Sequence, residues 1–199
     1  VDTTINAGFG QPDLLMFLQT IFVSTINGDH MVGMGAAVSA TERAQTALFA
    51  DHGSTTSVLG AYNGDRAFSH LIGAAPTIDA EADLSATASW PTDGFQIAYT
   101  GTTAASYLVP YLALKGTFQK KVTTFDTLTA GGPQDIAAGF TPKAALTFGS
   151  YVASTGAATL DTSTASLGGF NIGASDLTNE VMVGGLDDDG QGTMFTMSR

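Results

Sequence analysis

The sequence predicts an all-β protein, an antiparallel β-sandwich that is jelly-roll-like and contains an internal duplication. Apolar and polar residues alternate at period two in several segments, and turn-forming Gly, Pro, Asn and Asp separate the apolar runs. One Gly-Phe element also occurs twice. Alternation at period two is typical of strands with one buried face, and closely spaced turn signals are typical of sandwiches.

The repeated element occupies residues 7–17 and again residues 138–148, at an offset of 131 residues. Each copy has a Gly-Phe pair, then a turn that contains Pro, then an apolar segment that closes on Phe. Pro fixes φ at such a turn, and Gly gives conformational freedom beside it. A unit used twice at long spacing indicates a duplicated structural element, and we expect a strand to leave both turns.

The first repeat leads into two strands. Residues 14–24 form a near-continuous apolar run, which predicts a strand buried on both faces. Asn27-Gly28-Asp29 is a strong hairpin signal. Residues 31–39 follow with alternating apolar positions, so a second, antiparallel strand is expected.

Residues 39–50 carry conflicting signals. Ser39 to Glu42 has the spacing of a helix capping box, and the alanine-rich residues after it would form an acceptable helix. At an offset of 138 residues, however, Glu42 matches Glu180, and residues 180–184 read Glu-Val-Met-Val-Gly, which is typical of a strand. Because both copies of a duplicated segment should form the same type of secondary structure, we predict a strand at residues 39–50.

Two more hairpins are expected. Asn63-Gly64-Asp65 predicts a turn that joins residues 57–62 to residues 66–72. The clearest alternation lies in residues 84–90 and 95–99, which a Pro-Thr-Asp-Gly turn connects. The pattern predicts an antiparallel pair with one face in a core.

The next segments suggest a boundary. Residues 107–114 predict a doubly buried strand, in which Pro110 indicates a bulge or an edge position. Lys115-Gly116 reads as the end of a module at residues 1–116, and residues 117–199 read as a second, partial copy that begins with a strand at residues 117–125. The second copy lacks counterparts of the strands at residues 84–114. We expect it to pack with the first copy or to be completed by a neighbouring subunit that covers its open edges.

Composition restricts the function. Hydrophobic residues make up 44% of the 199-residue chain, so a large core can form, while charged residues make up only 13%. The net charge of −11 argues against a nucleic-acid partner. There is no cysteine, so disulfides and thiolate metal sites are excluded. The longest apolar stretch is too short to span a bilayer, so no membrane partner is expected.

Candidate chemical residues are few and scattered. The three histidines, His30, His52 and His70, lie at turns and strand ends, without the spacing of a metal or catalytic site. Glu81 and Asp83 place two carboxylates on one strand face, as a glycosidase would need, although no sugar-holding aromatic residues flank them.

The densest acidic cluster is Asp187-Asp188-Asp189-Gly190, which could bind Ca²⁺ but lacks EF-hand spacing and reads better as a polar turn. No phosphate loop, dinucleotide fingerprint or nucleophile elbow is present in its required context. The sequence therefore predicts no catalytic, cofactor-binding or metal site and no enzymatic activity.

Aromatic residues and one basic pair remain. Trp90, Phe95 and Tyr99 could form a sugar platform, but their phase in two alternating strands favours a core position. Tyr62 and Tyr107 are the fair candidates for binding a surface glycan from loops. Lys120-Lys121 is interpreted as a charged pair that keeps an edge strand from pairing with another chain, or as an ion-pair partner between subunits.

Three segments carry a resemblance to a known group of proteins. They are the Gly-Phe-x-Pro-x-x-x-Leu-x-Phe element at residues 139–148, Asp93-Gly94-Phe95-Gln96-Ile97, and Tyr111-Leu112-Ala113-Leu114-Lys115-Gly116. Together they resemble β-sandwich modules, jelly-roll or concanavalin-like, of bacteriophage virion proteins such as tail fibres and capsid decoration proteins. The resemblance implies a structural role in a virion, an extracellular particle, and no active site.

The leading hypothesis is therefore a structural virion protein that acts through self-assembly, with copies of itself and other virion proteins as partners. One alternative is a carbohydrate- or receptor-binding sandwich module. The other is a glycan-degrading enzyme that would depend on Glu81 and Asp83.

Overall fold

The computed structural model describes residues 2–22, 30–51, 58–64, 66–71, 83–89, 94–99, 108–125, 130–152, 161–163, 167–176, 178–188 and 195–198. In these residues the chain forms β-strands and connecting segments, and no helix. The prediction of an all-β fold of antiparallel sheets is confirmed. The strands are β1 (Asp2–Ile5), β2 (Leu14–Phe22), β3 (His30–Ala37), β4 (Arg43–Asp51), β5 (Val58–Gly64), β6 (Phe68–Leu71), β7 (Asp83–Ser89), β8 (Phe95–Tyr99), β9 (Tyr111–Leu114), β10 (Ala145–Val152), β11 (Asp161–Ser163), β12 (Leu167–Ser175), β13 (Glu180–Asp188) and β14 (Phe195–Ser198).

The strands form three antiparallel sheets. The central sheet has six strands in the order β11-β5-β4-β3-β2-β9. The front sheet has the order β1-β8-β7-β6, and the back sheet has the order β10-β12-β13-β14. Strand β6 of the front sheet crosses β2, β3 and β4, whereas β10 and β12 of the back sheet lie against β4 and β5.

The front and back sheets pack on opposite faces of the central sheet. A Cβ placed on Gly35 would touch the carbonyl of Ala67, which directly precedes β6, so the Gly35 side faces the front sheet. The neighbouring residue Met34 pairs with Thr46, and the Thr46 hydroxyl meets the hydroxyl of Ser150 in β10. Successive residues of a strand point to opposite faces, so the back sheet lies on the other side.

The main core lies between the front and central sheets. The Phe17 ring of β2 stands 5.1 Å from the Phe68 ring of β6 and 6.2 Å from the Phe95 ring of β8, measured between centroids. Leu15, Ala37, Ala67 and Ile97 complete the buried set. Burying a large apolar side chain contributes about 1.5–3 kcal/mol, so this aromatic cluster is a principal source of stability. The inward phase predicted for Phe95 is confirmed.

Several predicted strands are found where the pattern put them. Strands β2, β3 and β13 match the predicted segments, and β7 pairs with β8 as the predicted hairpin. The predicted turn at residues 27–29 lies outside the described residues. Strand β2 is not buried on both faces, since Leu18 and Thr20 are exposed on the side that the front sheet does not cover. That detail of the prediction is wrong.

The conflict at residues 39–50 is resolved in favour of a strand, β4. The hydrogen bond expected of a capping serine nevertheless forms, since the Ser39 hydroxyl accepts from the Glu42 amide at 2.9 Å. The Val38 amide donates to the Glu42 carbonyl at 2.9 Å, which closes a tight β3–β4 turn. A capping box can therefore close a hairpin when the residues after it pair with a neighbouring strand.

Three other predictions are wrong. The Asn63-Gly64 signal does not make a hairpin, because β5 belongs to the central sheet and β6 to the front sheet, so the chain changes layers there. Residues 107–114 were expected to be doubly buried, but their strand is β9, an exposed strand at the end of the central sheet, as Pro110 had suggested. Residues 117–125 form no strand and run as an irregular, largely exposed segment.

The two Gly-Phe elements have similar local geometry. Gly8 and Gly139 both adopt the left-handed region, with φ of +79° and +81°. The strand that follows begins at Leu14 in one case and at Ala145, 131 residues later, in the other. Each strand starts a run of four antiparallel neighbours, β2-β3-β4-β5 and β10-β12-β13-β14. These parallels agree with a duplication, which stays a prediction.

The two halves of the chain meet in the central sheet. Strand β11 pairs with β5, with Thr162 opposite Gly60, so residues from the predicted second copy extend a sheet of the first. The predicted division at residue 116 stays a prediction.

Candidate functional site: two exposed apolar surfaces

The first notable surface lies on the back-facing side of the central sheet, at its β9 end. Strand pairing places Met16 opposite Leu112 and Leu14 opposite Leu114. Residues opposite each other on one face have Cβ atoms about 4.5–5.5 Å apart, so these side chains are neighbours. Leu18 continues the same face of β2. We call this surface the edge patch: Leu14, Met16, Leu18, Leu112 and Leu114.

The edge patch begins where the cover of the back sheet ends. On the same face, Thr46 of β4 is buried where the back sheet packs, and Ala36 of β3 is buried as well. Exposure then rises toward the sheet end, to 40% at Leu18 and 51% at Leu112. These leucines are contiguous on one sheet face rather than scattered singly, which makes the surface a candidate for contact with another molecule.

The second surface is on the back sheet. Pairing places Leu146 opposite Ala174, and Ala174 opposite Val181. Phe148, Ile172 and Val183 form the next row on the same face. We call this surface the back patch: Leu146, Phe148, Ile172, Ala174, Val181 and Val183.

The back patch belongs to the face of the back sheet that touches the central sheet. Ser150 lies on this face, two residues after Phe148, and its hydroxyl donates to the Ala47 carbonyl at 3.1 Å. Farther from that contact the face is exposed to solvent: Leu146 is 55% exposed and Val181 is 61% exposed. Among the described residues, no charged side chain shares these two rows.

Corresponding positions of the two repeats thus differ in environment. Leu15 and Phe17 are buried under the front sheet, whereas Leu146 is exposed and Phe148 is half-buried. The sequence pattern is the same in both repeats. In the second, part of the apolar face has no cover from the described residues.

A segment that follows the edge patch is held by charged groups. Asp13 accepts hydrogen bonds from the Lys120 ammonium at 2.6 Å and from the Gly116 amide at 3.0 Å. The Lys120 hydrogen bond is the main cause that lowers the pKa of Asp13 below its ordinary value of 3.8, and the Gly116 amide adds to it. Lys115 donates to the Phe9 carbonyl at 2.9 Å.

The same segment is tied at a second point. Glu42 lies 3.4 Å from the Lys121 ammonium and accepts a hydrogen bond from the Val122 amide at 3.1 Å. Both lysines of the predicted basic pair therefore bind carboxylates of their own chain. We call residues 115–125 the strap.

A shallow polar hollow lies beside the strap, with a volume of about 380 Å³. Gln11, Pro12, Asp13, Val38, Lys115 and Lys120 line it. Its carboxylate and one of its ammonium groups are already paired with each other, so the hollow offers little unsatisfied charge to a ligand.

The structure does not bring the candidate chemical residues together into a described site. His30 starts β3 and His70 lies in β6, in different sheets, and His52 lies outside the described residues. Asp83 starts β7, and Glu81 lies outside the described part. In that part of the chain no group of three or more His, Asp or Glu is arranged to hold a metal ion.

The other candidates are distributed in the same way. Asp187 and Asp188 end β13, and Asp189 and Gly190 are not described. Tyr62 lies in β5 and Tyr99 in β8, while Trp90 and Tyr107 are outside the described residues. The proposed glycan contacts of Tyr62 and Tyr107 stay predictions.

Sequence reasoning missed both apolar patches. The alternation of Leu14, Met16 and Leu18 shows that this face of β2 is apolar, and the sequence pattern predicts that the face is buried. The useful signal was Pro110, which lacks an N–H and favours an edge strand. With β9 placed at an edge, the leucines beside it become candidates for contact with another molecule.

Comparisons with protein-family models, with curated proteins and with solved structures return no significant match for this chain. None of the described segments is a helix of the length and apolar character needed to cross a membrane.

Proposed function

We propose that this protein is a structural subunit that acts by packing against further copies of itself, in a particle of the virion type. The single observation that carries the proposal is the pair of exposed apolar surfaces, the edge patch and the back patch. Both lie on regular sheet faces, where a further β-layer could pack about 10 Å away. Contiguous apolar surfaces of this kind mark sites of protein–protein contact.

The composition supports the same role. Only 13% of the residues are charged, and the chain contains 24 glycines. A surface poor in charge loses little solvation when another subunit covers it, since the desolvation of charges is the main penalty of burial. The two tied lysines of the strap hold an exposed segment in place beside the edge patch, so the surface is ordered before assembly.

The resemblance to phage β-sandwich modules supports the virion setting. The segments that carry it include Tyr111–Leu114, the strand that contributes two leucines to the edge patch. On this proposal the protein serves in a capsid decoration or a tail appendage, and its work is cohesion between subunits rather than catalysis.

The test is the mass of the purified chain as a function of concentration. We expect light scattering after size-exclusion chromatography to show multimers at on the order of 100 µM that dissociate on dilution. Fractionation of virions should place the chain in the particle. A chain that stays monomeric throughout this range and that is absent from virion fractions would refute the proposal.

A further inference from the structure

We propose that the strap is a latch, held closed by the carboxylates of Asp13 and Glu42, that opens as one unit while the sheets stay folded. Loss or screening of the charge on these two carboxylates opens it. The inference concerns movement within a single chain, so it can fail without affecting the proposed function.

The two carboxylates lie at the same end of the central sheet. Leu15 of β2 pairs with Ala37 of β3, so the start of β2 and the end of β3 lie together. Asp13 directly precedes β2, and Glu42 lies in the turn between β3 and β4. The strap leaves β9, the neighbour of β2, and reaches Asp13 first and Glu42 second, so it crosses this end of the sheet.

The attachment of the strap is concentrated on these two groups. Each carboxylate accepts one backbone amide of the strap and pairs with one of its lysines. In the part of the chain that the structure describes, the polar contacts of residues 116–125 to the rest of the chain all end on these two carboxylates. Removing the charge of one carboxylate therefore weakens half of these contacts.

Apolar burial adds little to this attachment. Phe118 and Phe125 of the strap are 41% and 45% exposed, whereas Phe17 and Phe68 of the core are at most 1% exposed. The Lys120 ammonium lies 5.5 Å from the centroid of the Phe118 ring, but this contact is inside the strap and moves with it. Segments with few buried apolar contacts open locally, at a lower free energy than the strands of a core.

Opening of the latch changes the surface beside it. Lys115 and Lys120 of the strap line the polar hollow together with Asp13, Val38 and the fully buried Pro12. Withdrawal of the strap exposes Pro12 and leaves both carboxylates without their lysines. The open form thus presents an acidic surface that the closed form neutralises.

Amide hydrogen exchange tests whether the strap opens as a unit. In the wild type at neutral pH, the Gly116 and Val122 amides should show similar protection and exchange faster than the amides of β3. Asp13→Asn weakens one anchor and Glu42→Gln weakens the other. Each variant should speed exchange at both amides by about tenfold, because an opening of the whole strap depends on both anchors. The amides of β3 should stay the slower ones in every variant.

Tryptic cleavage after Lys120 and Lys121 reports the open form independently, because proteolysis follows the population of an opened segment. NaCl at about 1 M shortens the screening length to about 3 Å, so it should speed this cleavage in the wild type. The double variant Asp13→Asn/Glu42→Gln should be cut faster at low salt and should lose the salt dependence. A small chromogenic substrate in the same reaction corrects for the effect of salt on the protease.

Two control variants make the same changes of charge outside the latch. Asp135→Asn and Glu180→Gln replace exposed carboxylates that lie away from the strap. Both should match the wild type in amide exchange at the strap and in tryptic cleavage. Circular dichroism verifies the fold of each variant, and the salt dependence of the wild type decides the question if a variant fails to fold.

Each outcome counts for or against the latch. If Asp13→Asn speeds exchange at Gly116 alone, the two anchors act separately and the latch is refuted. Strap amides that exchange as slowly as those of β3 would show that the strap opens only when the whole protein unfolds, which also refutes it. The same holds if neither salt nor the double variant speeds cleavage after the strap lysines.

Discussion

At the level of single residues, a close approach between two sheets is made possible by a missing side chain. A Cβ built on Gly35 would lie 1.8 Å from the carbonyl oxygen of Ala67. Ala67 leads into β6, which carries Phe68 into the core. Gly35 therefore lets the front sheet approach the central sheet closely enough for the aromatic cluster to close.

Substitution of Gly35 tests this reading. We expect Gly35→Ala to lower the free energy of unfolding by about 2–3 kcal/mol, because the added methyl group forces the front sheet away. The matched control is Gly185→Ala in β13, where an added Cβ meets nothing within 4 Å. It should change stability by no more than about 0.5 kcal/mol. Urea denaturation of dilute protein measures both, and equal effects would contradict the account.

Some of these residue-level features could be predicted and others could not. Period-two alternation showed that Phe95 points inward, because its pattern is local. The role of Gly35 depends on Ala67, which is 32 positions later and in another layer. Asn63-Gly64 gave a misleading signal for the same reason, since the local turn preference does not reveal that the chain changes sheets.

At the level of elements, the strap shows how side chains can replace a sheet ladder. The Gly116 and Val122 amides donate to the carboxylates of Asp13 and Glu42 rather than to a neighbouring strand. The strap is therefore held in place without belonging to a sheet. The sequence predicts a strand at residues 117–125 because strand preference is a local property, whereas the presence of a partner strand depends on the rest of the fold.

The attachment of the strap should depend on pH. The pKa of Asp13 is lowered in the folded protein, chiefly by Lys120, from an ordinary value of 3.8. A lowered folded pKa means that the stabilisation is fully present above pH 3.8 and is lost as the pH falls through the folded value. Asp13→Asn removes the charge, so its melting temperature should be a few degrees below that of the wild type at pH 6.

Comparing the melting temperatures of the wild type and Asp13→Asn over a range of pH isolates the contribution of the Asp13 carboxylate. The gap in melting temperature should close as the pH falls from 3.8 through the lowered pKa of Asp13, because the folded wild type then also has a neutral side chain at this position. Asp135→Asn changes an exposed aspartate outside the strap, and this variant should have the same melting temperature as the wild type at pH 6. A gap that stays constant into strong acid would show that Asp13 acts through something other than its charge.

At the level of the whole molecule, the described strands form three layers and leave two apolar sheet surfaces exposed. The class of fold could be predicted, because alternation and turn residues determine that strands form and that they bury one face. The exposure could not be predicted. An apolar face has the same sequence pattern whether its cover comes from the same chain or from a second copy.

The repeated element illustrates this limit. Leu15 and Leu146 occupy the same place in the two repeats, yet the first is buried and the second is 55% exposed. The difference lies in the layer above each residue. We attribute the missing cover of the second repeat to assembly.

The most direct test of this claim is hydroxyl-radical footprinting of the patch side chains across a dilution series. The account predicts that Leu18, Leu112, Leu146 and Val181 become protected as concentration rises, while exposed Met182, on the opposite face of β13, keeps a constant oxidation rate. Oxidation of the patch residues that is the same at every concentration, in samples whose mass shows assembly, would contradict it.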